Sequence, residues 1–102
     1  MDQIQILVIG RNPDIVQTVV RLVNNNPAWR ASHALKDDAA VALFESQAFD
    51  LVLLGGGIEP ESDTLLRRAF TVHNPGITII QHYGGGSGLL ATEINMALAG
   101  KL

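Results

Sequence analysis

With 102 residues, of which 47% are hydrophobic and 17% charged, the chain has material for one globular core and no second. It contains no cysteine, which excludes disulfides, thiolate metal centres and a cysteine nucleophile. The net charge is −3 and the basic residues form no stripe, so nucleic acid is not an expected partner.

No apolar run approaches the ~20 residues of a membrane span, so no membrane association is expected. The opening "MDQIQILVIG" has no basic region ahead of its apolar stretch, so it does not read as a secretory leader. A single cytoplasmic domain over residues 1–102 is the expectation.

Periodicity alternates between strand and helix along the chain. "IQILVIG" (Ile4–Gly10) is nearly all apolar, as in a strand covered on both faces. Asn12 then offers an N-cap, Pro13 a first helical residue and Asp14 a dipole partner. Ile15, Val16, Val19, Val20, Leu22 and Val23 give the following helix a wide apolar face, and "NNNP" ends it.

"WRASHALK" alternates, with Trp29, Ala31, His33 and Leu35 on one side, and suits a half-exposed edge strand. Asp37 and Asp38 are placed to cap a second helix carrying Val41, Leu43 and Phe44. "FDLVLL" reads as a second fully buried strand, and "GGG" follows it directly. Ser62 or Asp63 is expected to cap a third helix. Its inward residues would be Leu65, Leu66, Ala69, Phe70 and Val72, with Arg67 and Arg68 outward.

"HNPG" stops that helix, "ITIIQHY" is a fourth strand, and "GGGSG" leads to a last helix presenting Leu90, Ile94, Ala97 and Leu98. Four βα units with short connections call for a doubly wound parallel sheet of the flavodoxin-like kind.

These segments, turns included, resemble a receiver domain, the phosphorylatable module of bacterial two-component response regulators. "ILVIGRNPDIVQTVVRLV" is similar to the family's first strand, acidic turn and first helix. "HALKDDAAVALFESQAFDLVLL" is similar to its second strand, second helix and third strand. "LLRRAFTVHNPGITII" is similar to its third helix, Asn-Pro-Gly stop and fourth strand.

The resemblance implies a sheet order of 2-1-3-4 for the four legible strands, where a receiver has five. "LLATEINMALAG" resembles the family's last helix more than its fourth, so a helix and the fifth strand are expected to be missing, with the Lys that ends that strand.

Receiver chemistry implies an acidic pair after the first strand and an aspartate ending the third, which together hold Mg²⁺ through hard oxygen ligands. Here the acidic pair falls on Gly10 and Arg11 and the phospho-acceptor on Gly55, while the Thr/Ser position falls near Tyr83. Glycine has no nucleophile, and Arg11 would repel a divalent cation. The resemblance is therefore to a degenerate, non-phosphorylatable pseudo-receiver. Such a module acts on an unidentified signalling partner through its surface, not as an enzyme and without a cofactor.

A second reading takes the glycines as a site. In a doubly wound sheet, ligands bind beyond the C-terminal strand ends. That edge would gather Gly10, Arg11, Asn12, Gly55, Gly56, Gly57, His82, Gly85, Gly86 and Ser87. Backbone amides and Arg11 could there hold a small anion. The competing view is that the glycines only make tight turns.

"LVLLGGGIEP" also resembles cobalamin-binding domains, but the Asp-x-His-x-x-Gly motif is absent. His33, His73 and His82 lie in separate elements and form no metal spacing. An enzyme would have only His82 and Ser87 to work with. Ser87 is the expected cap of the last helix, and Glu59 and Glu61 are expected to be solvated.

Loss of a fifth strand predicts one more feature. It would leave "ITIIQHY" as an apolar edge without Lys or Pro. That predicts a homodimer formed through the fourth strand, with Ile77, Ile79 and Gln81 at the interface.

Overall fold

The computed structural model describes residues 3–81 and 87–99, and its first strand, β1, is Ile4–Ile9. After β1 come α1 (Pro13–Asn24), β2 (Trp29–Ala34), α2 (Asp37–Ser46) and β3 (Leu51–Leu54). Then follow α3 (Pro60–His73), β4 (Thr78–Gln81) and α4 (Ser87–Ala99). The four strands form one parallel sheet in the order β2-β1-β3-β4, as the doubly wound reading expects.

Register decides where the working edge lies. Ile9 sits opposite Ala34 on one side and Leu54 on the other, and Leu54 opposite Gln81. The C-terminal ends of all four strands are therefore flush, and the residues following them share one edge.

Period-two side-chain alternation divides each strand between two cores. Ile6, Val8, Leu51 and Leu53 face α1 and α4, joined by Val16, Val23, Trp29, Leu90 and Ile94. Leu7, Ile9, Val52 and Leu54 face the opposite way, toward Ala40, Phe44, Leu66 and Phe70 of α2 and α3. Central strands β1 and β3 bury both faces, which is why their sequences read as unbroken apolar runs. Phe44 anchors the second core, stacking on Phe49 at 5.9 Å and tilting over Phe70 at 4.4 Å between ring centroids.

The placement of α4 carries topological information. A right-handed crossover from β4 to a further parallel strand beside it would lie on the face of α2 and α3. Instead α4 packs with α1 through Leu90 and Ile94. It therefore packs on the α1 face, in keeping with the likeness of "LLATEINMALAG" to a last helix.

Several local expectations need correction. The third helix starts at Pro60, with Glu59 at the cap position, so neither Ser62 nor Asp63 caps it. Proline fits that first turn because its missing N–H would have no helical acceptor there. Lys36 holds the cap position of α2 without a side-chain cap bond, and Asp37 and Asp38 lie inside the first turn.

Leu65 and Val72 were expected inward and are 52% and 77% exposed. Each sits roughly a third of a turn from Leu66, at about 100° per residue, which carries it off the buried stripe. Arg67 is held against its own helix, 2.6 Å from Asp63.

Candidate functional site

Three loops meet beyond the flush strand ends. The first, Gly10 to Asn12, follows β1, the second joins β2 to α2, and the third, Gly55 to Glu59, follows β3. Glycine at position 10 lets α1 lie close to the sheet, since a Cβ there would fall 2.8 Å from Val16 Cγ2. At Gly55 a Cβ would come within 3.2 Å of the Ile9 carbonyl oxygen. Gly57, with φ of +82°, turns the chain toward α3 in the left-handed region that glycine accepts without penalty.

Arg11 is the organising residue. Its Nη2 lies 2.6 Å from Asp37 Oδ1 and 3.3 Å from Glu59 Oε2. Its Nη1 donates to the Leu35 carbonyl at 2.9 Å, and its Nε reaches Glu59 Oε1 at 3.4 Å. One planar guanidinium thus ties the β2–α2 connection to the start of α3, using the forked donor geometry that lysine lacks.

Ser62, one turn into α3, reinforces the cluster. Its Oγ donates to Asp37 Oδ2 at 2.6 Å, with Glu59 Oε2 also 3.1 Å away. The Ser62 hydroxyl and then the Arg11 guanidinium hold the Asp37 carboxyl below its usual range. Arg11 and then Ser62 do the same for Glu59, and Asp37 followed by Glu59 raise the Arg11 guanidinium further. Glu59, expected as a solvated loop carboxylate, is 60% exposed and also pairs with Arg11; Asp37, expected as a helix cap, is a partner of Arg11 instead.

Several of the donors expected for an anion are engaged within the chain. Gly10 N–H donates to the Ala34 carbonyl at 3.3 Å and Gly55 N–H to the Ile9 carbonyl at 2.7 Å. At the start of α1, Asp14 N–H and Ile15 N–H donate to Asn12 Oδ1 at 2.9 and 3.2 Å, and Val16 N–H to the Asn12 carbonyl. Asn12 is thus a helix cap in full use. Arg11 itself faces two carboxylates, so the polar side of the edge is net acidic.

What remains of the glycine edge is an apolar cavity of 210 Å³ between α1 and the tips of β1 and β3, bounded by Gly10, Asn12, Gly55 and Gly56. His82, Gly85 and Gly86 lie outside the described residues, as does Tyr83, and Ser87 is the first residue of α4. Among the described residues, no group of three or more His, Cys, Asp or Glu side chains could hold a metal ion. No described helix is long and apolar enough to cross a membrane.

The Arg11 cluster was missed from sequence because its members are 26 and 48 residues apart. A signal existed: Arg11, Asp37 and Glu59 each follow the end of a strand by a few residues, and a parallel sheet collects such positions.

Comparison with known proteins gives the family likeness at the level of fold. No protein-family model matches the chain, and no curated protein does. Among solved structures, it is similar to the signal receiver domain of an HD domain-containing protein from Pseudomonas fluorescens Pf-5. That match has a TM-score of 0.80 at 17% identity and covers 97% of each chain. A response regulator receiver domain protein from Clostridium thermocellum matches with a TM-score of 0.77 at 17% identity, over 96% of each chain. A CheY-like receiver domain protein from Methanospirillum hungatei JF-1 matches at 0.69 and 20% identity, over 94% of this chain and 76% of that one. With its 2-1-3-4 sheet and helices on both faces, the chain has the fold of a response-regulator receiver domain.

Proposed function

We propose that the chain is a pseudo-receiver, a non-phosphorylatable module of two-component-type signalling that works in the cytoplasm through its surface, without catalysis. One observation carries this reading. At the ends of β1 and β3, where a receiver would present carboxylates, stand Gly10, Arg11 and Gly55, and Arg11 is bound to Asp37 and Glu59. The guanidinium holds the two nearby carboxylates as an internal cation, and neither glycine offers an oxygen to phosphorylate. Phosphoryl transfer would need both a nucleophile and a metal to carry the developing charge.

The test is incubation with acetyl phosphate and Mg²⁺, followed by intact mass measurement. The mass should stay unchanged, and beryllofluoride should leave the amide spectrum unaltered. A stable adduct of about 80 Da, one phosphoryl group, would overturn the reading.

The same proposal includes a homodimer through β4. In support, β4 is half-buried along its whole length, whereas its register partners in β3 are fully buried. Ile77 to Gln81 contains neither Lys nor Pro, the usual protection of an edge. A two-fold axis would join two copies antiparallel near Ile77, Ile79 and Gln81. Sedimentation equilibrium should give about twice the chain mass, and Ile79→Lys should shift it toward monomer. A monomer at all concentrations would refute the dimer, and one insensitive to Ile79→Lys would move the interface to the helices.

The alternative, anion sensing at the glycine edge, has less support. The amides of Gly10, Gly55, Asp14 and Ile15 already have acceptors, and Arg11 already has two carboxylates.

A further inference from the structure

We propose that the cavity between α1 and the tips of β1 and β3 binds a small, uncharged apolar molecule, of about the size of a single aromatic ring. Its walls are Val8 and Leu53 from the strands and Ile15, Val16 and Val19 from α1. Its volume is 210 Å³. Dry aliphatic cavities of about 150 Å³ take up benzene or xenon, so this one is large enough for the same class of guest.

The charge of the guest follows from the lining. Among the described residues, Arg11 is the one charged residue that borders the cavity, and its guanidinium is committed to Leu35, Asp37 and Glu59. An anion would have to compete with two carboxylates for that group. A cation would find no carboxylate among the described wall residues. The amide hydrogens of Gly10 and Gly55 are spent on the sheet, and those of Asp14 and Ile15 on Asn12. An uncharged guest loses little by entering such a site and gains the burial of its apolar surface.

A Cβ at Gly56, which lines the cavity, would meet nothing within 4 Å among the described residues. Ile15, 57% exposed although apolar, stands at the mouth. A small guest would cover it. This inference shares glycines with the pseudo-receiver reading but does not depend on it, since a phosphoryl adduct and a bound apolar guest are read by different signals.

The experiment is a methyl-NMR titration of the full chain with benzene, with inorganic phosphate and benzylamine as charged controls. Benzene should move the methyls of Ile15, Val16 and Val19 saturably, with a dissociation constant on the order of a millimolar. The methyls of Leu66 and Leu7, on the other face, should stay still.

Val19→Phe, which fills the cavity, and Ile15→Asp, a change at an exposed position, should each weaken binding by about ten-fold or more. Their amide spectra report whether each variant is folded, and either one suffices. No saturable shift, shifts on both faces, or binding unchanged in a folded variant would overturn the proposal. So would phosphate or benzylamine moving the same methyls. Shifts of those methyls with protein concentration alone would also overturn it, in favour of a side chain from a second copy.

Discussion

Removing the Arg11 guanidinium should cost stability, in a pH-dependent way that marks its partners as carboxylates. In Arg11→Ala, Asp37 loses a charge-assisted contact of 2.6 Å, and the Leu35 carbonyl loses a donor at 2.9 Å. A hydrogen bond to a charged group is worth about 1.5–3 kcal/mol when well shielded. Arg11 and Asp37 keep 25% and 28% of their side-chain surface exposed, so solvent screens part of this. With exposed pairs worth about 0.2–1 kcal/mol, the expected loss is about 1–2 kcal/mol. That corresponds to roughly 5–10 °C in melting temperature for a domain of this size.

The folded-state pKa of Asp37 lies below its unfolded value, so its contribution is complete above the unfolded pKa of about 4 and is lost as pH falls further. Arg11 stays charged throughout, its own pKa being raised. The difference between wild type and Arg11→Ala should thus be constant from about pH 5 to 8 and shrink below about pH 4. Urea unfolding followed by Trp29, the sole tryptophan and a buried one, measures it. An equally stable variant, or a difference undiminished at low pH, would refute the assignment.

Other substitutions are read by urea unfolding in the same way. Gly10→Ala should cost about 1–3 kcal/mol, because its Cβ would fall 2.8 Å from Val16 Cγ2 and α1 would have to move. Gly56→Ala meets nothing within 4 Å and has no left-handed φ, so it should be neutral or stabilise by up to about 1 kcal/mol. Asn12→Ala should cost about 1 kcal/mol through the lost cap of α1, and Asn12→Gly distinctly less. Phe44→Ala, which removes a ring 2% exposed between Phe49 and Phe70, should cost about 3–5 kcal/mol.

The order of the elements was legible because burial on both faces leaves a distinctive trace. "IQILVI" and "LVLL" carry no polar residue on the second face other than Gln5 at an end, and only a central strand of a doubly covered sheet tolerates that. Weaker signals fared less well. In α3 a run of apolar residues was assigned inward as a block, although its buried stripe centres on Leu66 and Phe70. The face chosen by α4 had no local signal: its only charged residue is Glu93, and apolar residues surround the helix. Its packing against α1 is a tertiary choice that sequence periodicity does not encode.

The site was harder to read because each of its polar residues has an adequate local explanation. Asp37 before a helical run looks like a cap, Ser62 near the start of the next looks like another, and Glu59 beside glycines looks solvated. Local propensity accounts for one residue at a time, whereas the guanidinium of Arg11 joins three segments at once. Flush strand ends supply the missing constraint. Ile9, Ala34 and Leu54 align, so the residues just beyond them converge whatever their separation in sequence. With a cation two positions past one strand and carboxylates shortly past two others, mutual neutralisation costs less than keeping any of them alone at a partly shielded edge. Charges counted at aligned strand ends would have found this cluster, and would also have shown Arg11 facing two carboxylates.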